Sequence, residues 1–201
     1  MDDNHLGNRN ADLAGWGSFG PTRRRENFSF TIEAKADEKF EDSVRVWKEN
    51  RIRKSLRSGA PERLKKLSEG LFGRKPDDAI ESLQYQLLPA FAGTAVLGKE
   101  RRATRSILVI HEFVSLCLDF DKVIDNSVAL AEFVQQIPGW ENAEVKCGSL
   151  LPWIRLQGNE WIPNDLEVSI GKVRTLIPLG SGGRVAVSPL GNNRGQFIEL
   201  K

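Results

Sequence analysis

Glu33 and Lys35 are the residues whose types and spacing most suggest chemistry. They end the segment 27–34, in which Phe28, Phe30 and Ile32 alternate with polar residues, a period of two that predicts a β-strand. Side chains two residues apart on a strand project from the same face. Glu33 and Lys35 should therefore share one face, and the apolar side chains should take the opposite face against the core.

Asp12 is the second acid that the pattern brings into play. The segment 11–19 predicts a preceding strand, and a hairpin with a symmetric loop centred on Thr22 and Arg23 would place Asp12 directly opposite Glu33. Their β-carbons would then lie about 4.5–5.5 Å apart. Two facing carboxylates repel each other unless a cation lies between them, and Mg²⁺ is commonly bound by one or two carboxylates together with water and phosphate oxygens. Lys35 beside them could orient or deprotonate a water or stabilise charge developing on phosphorus.

Both features have simpler interpretations. Glu33 and Lys35 could form an ordinary exposed ion pair on a strand, and Asp12 could cap a loop. The hairpin pairing favours the metal site, because it brings the three residues together.

The order of these residues resembles the PD-(D/E)XK (restriction-endonuclease-like) nuclease superfamily. Asp12 is followed about twenty residues later by the triplet Glu33-Ala34-Lys35, and then by a helical region and the apolar segment 106–110. The resemblance covers approximately residues 11–112. It implies that Mg²⁺ or Mn²⁺ is held by Asp12, Glu33 and the Ala34 carbonyl, and that Lys35 assists the attacking water. Gln86, or less favourably Gln84, matches the polar helical residue near such sites.

The elements that must position these residues follow from periodicity and punctuation. Strands are predicted at 11–19, 27–34, 106–112, 143–147, 153–156 and 166–177, and helices at 41–57, 62–70, 76–97 and 119–136, with Pro89 kinking or splitting the third. This order predicts an α/β (α+β) fold with a mixed central sheet and flanking helices. Residues 1–177 are expected to form one domain, followed by a Gly-rich tail at 178–201 with a possible edge strand.

Basic residues cluster in a way that suits a nucleic acid. Between residues 45 and 75 there are eleven Lys or Arg residues against three acids, although the whole chain carries a net charge of only +2. Such a stripe can bind phosphates, and it can equally be the solvated face of a helix. The predicted nucleic-acid contacts are on the hairpin tip and the first helix: Arg23, Arg24, Arg25, Lys48, Arg51 and Lys54.

Composition limits the class of protein. The 201 residues are 40% hydrophobic, and no apolar run approaches the length of a membrane span. The acidic, polar start shows no signal peptide, and Cys117 and Cys147 in apolar surroundings indicate buried thiols in a reducing compartment. We therefore expect a cytoplasmic protein without membrane association.

The leading functional hypothesis is a metal-dependent nuclease acting on DNA, and analogy with the superfamily implies a homodimer. Only eleven residues precede Asp12, too few for the helix that usually comes before this strand. A catalytically inactive member of the fold that binds nucleic acid or protein is therefore the alternative. A third hypothesis is a phage or plasmid accessory protein that binds a partner through its Trp-bearing C-terminal half.

Overall fold

The computed structural model describes residues 11–20, 25–36, 38–55, 57–114 and 120–177. The elements in chain order are β1 (Leu13–Phe19), β2 (Glu26–Lys35), α1 (Val44–Lys54), α2 (Ala60–Phe72), α3 (Asp78–Ser82), α4 (Leu87–Glu100), β3 (Arg105–Val114), α5 (Phe120–Gln136) and β4 (Glu167–Leu176). The strands form one sheet in the order β1-β2-β3-β4. β1 is antiparallel to β2, and β2, β3 and β4 are mutually parallel. The predicted α/β class, a mixed sheet flanked by helices, is confirmed.

The hairpin has the predicted register. Its Cα pairs run from Leu13 opposite Ile32 to Phe19 opposite Glu26. Gly15 is required here for close approach, because a β-carbon on it would lie 2.5 Å from the ring of Phe30. The phenyl ring thus lies across the backbone of β1.

The prediction of which face of β2 meets the core is wrong. The buried residues of β2 are the polar ones, and Phe28, Phe30 and Ile32 are only half-buried. The reason lies in the layer above the sheet, since α4 packs on this polar face and supplies partners for it. Thr31 hydrogen-bonds Thr94 of α4, and Ser29 hydrogen-bonds Ser106 of β3 at 2.7 Å. A buried polar atom with a partner costs little, so tertiary contacts override the simple alternation rule.

The apolar core lies between this face of the sheet and the helices. Phe91 of α4 contacts Phe133 of α5 edge-to-face, with ring centroids 6.0 Å apart, and Trp140 lies 5.6 Å from Phe91. Leu108 and Ile110 of β3 complete the contact from the sheet. The fold is therefore anchored beneath the carboxyl ends of β2 and β3, where the polar residues are.

Two details of the secondary structure differ from the sequence-based prediction. The segment 76–97 is split between α3 and α4, and Pro89 lies in the first turn of α4, where a missing backbone N–H costs nothing. Residues 143–147 and 153–156 form no strand; the segment 147–154 makes only isolated bridges along the outer edge of β4. The tail 178–201 and its predicted edge strand lie outside the described residues.

The environment of the cysteines also departs from expectation. Cys147 is exposed, because the segment around it runs along the sheet edge instead of forming a buried strand. Cys117 lies outside the described residues. No helix in the described part of the chain is long and apolar enough to cross a membrane.

Candidate functional site

Glu33 and Lys35 lie at the carboxyl end of β2, on the face covered by helices. Their exposed fractions are only 2% and 4%. Lys35 Nζ is 3.2 Å from Glu33 Oε1 and 3.3 Å from Glu38 Oε1. Because a buried charge is costly unless it is paired, this ion pair is a built feature and not the exposed surface pair considered above.

Gln86 connects these two side chains. Its Nε2 donates to Glu33 Oε1, and its Oε1 accepts a hydrogen bond from Lys35 Nζ at 2.8 Å. Gln86 sits just before α4 and is held by the preceding loop, in which Tyr85 N donates to Asp42 O. Gln84 pairs instead with Ser43 at the start of α1. The structure thus brings Gln86, and not Gln84, into the predicted cluster.

Asp12 approaches Glu33 from the neighbouring strand. Its backbone N donates to Ile32 O at 3.0 Å, and its Oδ2 accepts from the backbone N of Ala34 at 2.6 Å. Asp12 itself is exposed, so its carboxylate lies where the buried Glu33–Lys35 pair meets solvent. The hairpin therefore unites the acids that the sequence separates by twenty residues.

The electrostatics of Glu33 show a site that lacks positive charge. Burial raises the pKa of its carboxyl to about 7; the Lys35 ammonium opposes this rise, and the Asp12 and Glu38 carboxylates add to it. Glu33 Oε2 is buried, and none of the described residues hydrogen-bonds to it. A buried acceptor without a partner is costly in a native structure and calls for a ligand or a proton.

These residues fit a hard divalent cation. The orphaned Glu33 Oε2 and the neighbouring Asp12 carboxylate are anionic oxygen donors, the class that Mg²⁺ prefers. Within the described residues, no group of three or more His, Cys, Asp or Glu side chains could hold a metal. An ion here would rest on two carboxylates and complete its shell with water and substrate oxygens, which is the usual habit of Mg²⁺.

The predicted nucleic-acid contacts are dispersed. Lys48 is paired with Glu81, whereas Arg51 and Lys54 are exposed on α1, and Arg51 lies 6.0 Å from the ring centre of the buried Trp47. Arg25 is exposed at the start of β2. Arg23 and Arg24 lie outside the described residues. Among the residues the structure describes, α1 offers Arg51 and Lys54 as its free-facing pair from this set.

A second buried charge cluster was missed by the sequence-based reasoning. Glu112 of β3 lies beside Lys35 in the strand register, and its oxygens are 2.8 Å from Lys172 Nζ and 2.7 Å from Arg174 Nη2. A cavity of about 10 Å³, about the size of one water molecule, adjoins both Lys35 and Glu112. Lys172 inside the apolar run of β4 was the sequence signal, because a charge at a buried strand position needs a partner.

Comparison with known proteins gives a family without an assigned activity. Residues 6–175 match the family described as "Domain of unknown function (DUF6946)". No curated protein and no solved structure matches the chain.

Proposed function

The chain belongs to the DUF6946 family, a domain of unknown function, and from its own site we propose that it hydrolyses phosphodiester bonds of nucleic acid, DNA first, with Mg²⁺ or Mn²⁺. The observation that carries the proposal is the buried Glu33 carboxylate, with one oxygen lacking a partner, between Asp12 and a fixed Lys35. The PD-(D/E)XK resemblance of Asp12 and the Glu33-Ala34-Lys35 triplet supports the same chemistry.

Each residue of the site has a distinct task in this proposal. Asp12 and Glu33 hold the cation, joined by the Ala34 carbonyl as the resemblance implies. The cation, when bound, supplies Lewis-acid activation of the phosphoryl group and a water of lowered pKa. Lys35, fixed by Gln86 and Glu33, is positioned to orient that water or to stabilise negative charge on the phosphoryl oxygens.

The location of Lys35 accounts for its fixed geometry. Its Nζ has three oxygen neighbours, on Glu33, Glu38 and Gln86. An ammonium group held in this way needs little reorganisation when charge develops nearby, which is where electrostatic catalysis gains most. Substrate phosphates would be gripped by exposed cations such as Arg51 and Lys54 of α1.

The test is cleavage of plasmid and of labelled oligonucleotides with Mg²⁺ or Mn²⁺, compared with EDTA. We expect Glu33→Ala and Lys35→Met each to lower kcat at least a hundredfold while the protein remains folded by circular dichroism. Lys172→Met is the matched control, because Lys172 is also a buried lysine paired with a buried glutamate of this sheet. It should retain activity.

The same experiment separates the proposal from its alternative. An inactive member of the fold would bind nucleic acid or protein without turnover, and calorimetry would then show no binding of Mg²⁺ or Mn²⁺. If wild-type protein at high concentration leaves DNA and RNA intact with both metals, the enzymatic proposal is refuted.

A further inference from the structure

The two edges of the sheet are treated differently. The outer edge of β4 is covered, since Leu151 N donates to Ile170 O at 2.9 Å and Ile154 exchanges two backbone hydrogen bonds with Val168. β1 is the other terminal strand, and no strand among the described residues pairs with its outer side. Open edges are templates for pairing with another chain, and proteins usually protect them with charges, prolines or a covering segment.

The open edge has none of these protections. β1 reads LAGWGSF, without a charge or a proline. Its large side chains are exposed to an unusual extent for apolar residues: Leu13 and Trp16 are each 53% exposed and Phe19 46%. An uncharged, apolar, unpaired edge strand marks an interaction surface.

The sequence of β1 is also close to a mirror image of itself around Trp16. Glycine stands on either side of the tryptophan, small residues (Ala14 and Ser18) follow, and large apolar residues (Leu13 and Phe19) end the strand. In an antiparallel pair of two such strands centred on Trp16, Leu13 faces Phe19 of the other copy and the small residues face each other. This is the self-complementarity that a two-fold symmetric interface requires, in which residue i meets j and j meets i.

The packing beneath β1 suits this arrangement. The rings of Phe28 and Phe30 lie over Gly17 and Gly15, at 3.1 and 2.5 Å from where β-carbons would be. Phe19 adds a ring contact to Phe28 at 5.8 Å. These rings extend the apolar face to the free edge, so a Leu13 or Phe19 from a second strand would meet apolar surface and not solvent.

We propose that two copies of this chain associate through antiparallel pairing of their β1 strands, centred on Trp16, to form one continuous eight-stranded sheet. The pairing does not rest on the proposed nuclease activity. Because the two-fold axis is then perpendicular to the sheet, both copies of the Asp12–Glu33 site open on the same face. At about 3.4 Å per residue, the two Asp12 positions are about 27 Å apart.

Sedimentation and light scattering of the intact chain test the proposal, with charge exchange at the symmetry centre. Wild type should have twice the mass of one chain. Trp16→Lys and Trp16→Glu should each be monomeric, because like charges would face each other across the axis, and an equimolar mixture of the two should recover the doubled mass. Ile124→Lys is the matched control, since it places the same charge on an exposed apolar site of α5, 59% exposed, and should remain dimeric.

Cross-linking tests the register. In a background with both native cysteines replaced by serine, Trp16→Cys should form a covalent dimer on mild oxidation. Ala14→Cys should not, because its counterpart in the second copy would be four residues away along the strand, beyond the reach of a disulfide. A monomeric wild type at all concentrations, a mixture of the charge variants that stays monomeric, or cross-linking at Ala14 and not at Trp16 would overturn the proposal.

Discussion

Replacing Glu33 by glutamine should make the protein more stable at alkaline pH, although it removes a conserved-looking ion pair with a buried lysine. Burial raises the pKa of the Glu33 carboxyl from its ordinary 4.5 to about 7. The native state therefore binds this proton more tightly than the unfolded chain does. The stabilisation from protonation is complete below pH 4.5 and is lost as the pH rises through 7.

The size of the effect follows from the gap between the two pKa values. Each pKa unit corresponds to about 1.4 kcal/mol, so the wild-type carboxylate costs about 3 kcal/mol at pH 8 and about 1 kcal/mol at pH 5. Glutamine is neutral at both. We expect the advantage of Glu33→Gln over wild type, measured without divalent metal, to grow by about 2–3 kcal/mol between pH 5 and pH 8.

Urea denaturation of both proteins at pH 5 and pH 8 with EDTA measures this directly. Glu49→Gln, on the exposed surface of α1, controls for the loss of one carboxylate. Millimolar Mg²⁺ at pH 8 should stabilise wild type, because the cation replaces the missing proton, and should leave Glu33→Gln unchanged. An advantage of Glu33→Gln that is the same at both pH values would refute the reasoning about burial.

Three further predictions concern the site, the basic helix and the packing of α4. Gln86→Ala should lower kcat about 10–100-fold with little change in KM, the usual size of an effect on a residue that orients others; an unchanged kcat in the cleavage assay would remove Gln86 from the site. Arg51→Gln combined with Lys54→Gln should reduce the slope of log Kd against log salt by about 2 in fluorescence anisotropy with DNA, whereas Lys99→Gln, whose lysine is paired with Asp165, should not. Gly93→Ala should stabilise the protein by up to about 1 kcal/mol, since nothing lies near the added carbon, and Gly98→Ala should destabilise it, because the carbon would overlap the Ser106 hydroxyl. Thermal unfolding of both variants checks the opposite signs.

The candidate site shows what local pattern can supply. The alternation around Glu33 and the hairpin symmetry predicted the register that sets Asp12 beside Glu33, because strand pairing in a short hairpin depends on nearby residues alone. The apolar run of β3 and the amphipathic α5 were predicted for the same reason. Gln86 came from a resemblance and not from geometry, and its contacts depend on how the loop before α4 packs against α1.

The sequence by itself determined the strands, most of the helices and the pairing of β1 with β2, since these follow from periodicity and short-range contacts. Only the tertiary structure decided that the polar face of β2 is the buried one. A polar side chain can be inside when distant residues such as Thr94 and Ser106 satisfy it, and no local pattern records those partners. The same limit hid Glu112 with Lys172, whose attraction joins β3 to β4 across sixty residues of chain.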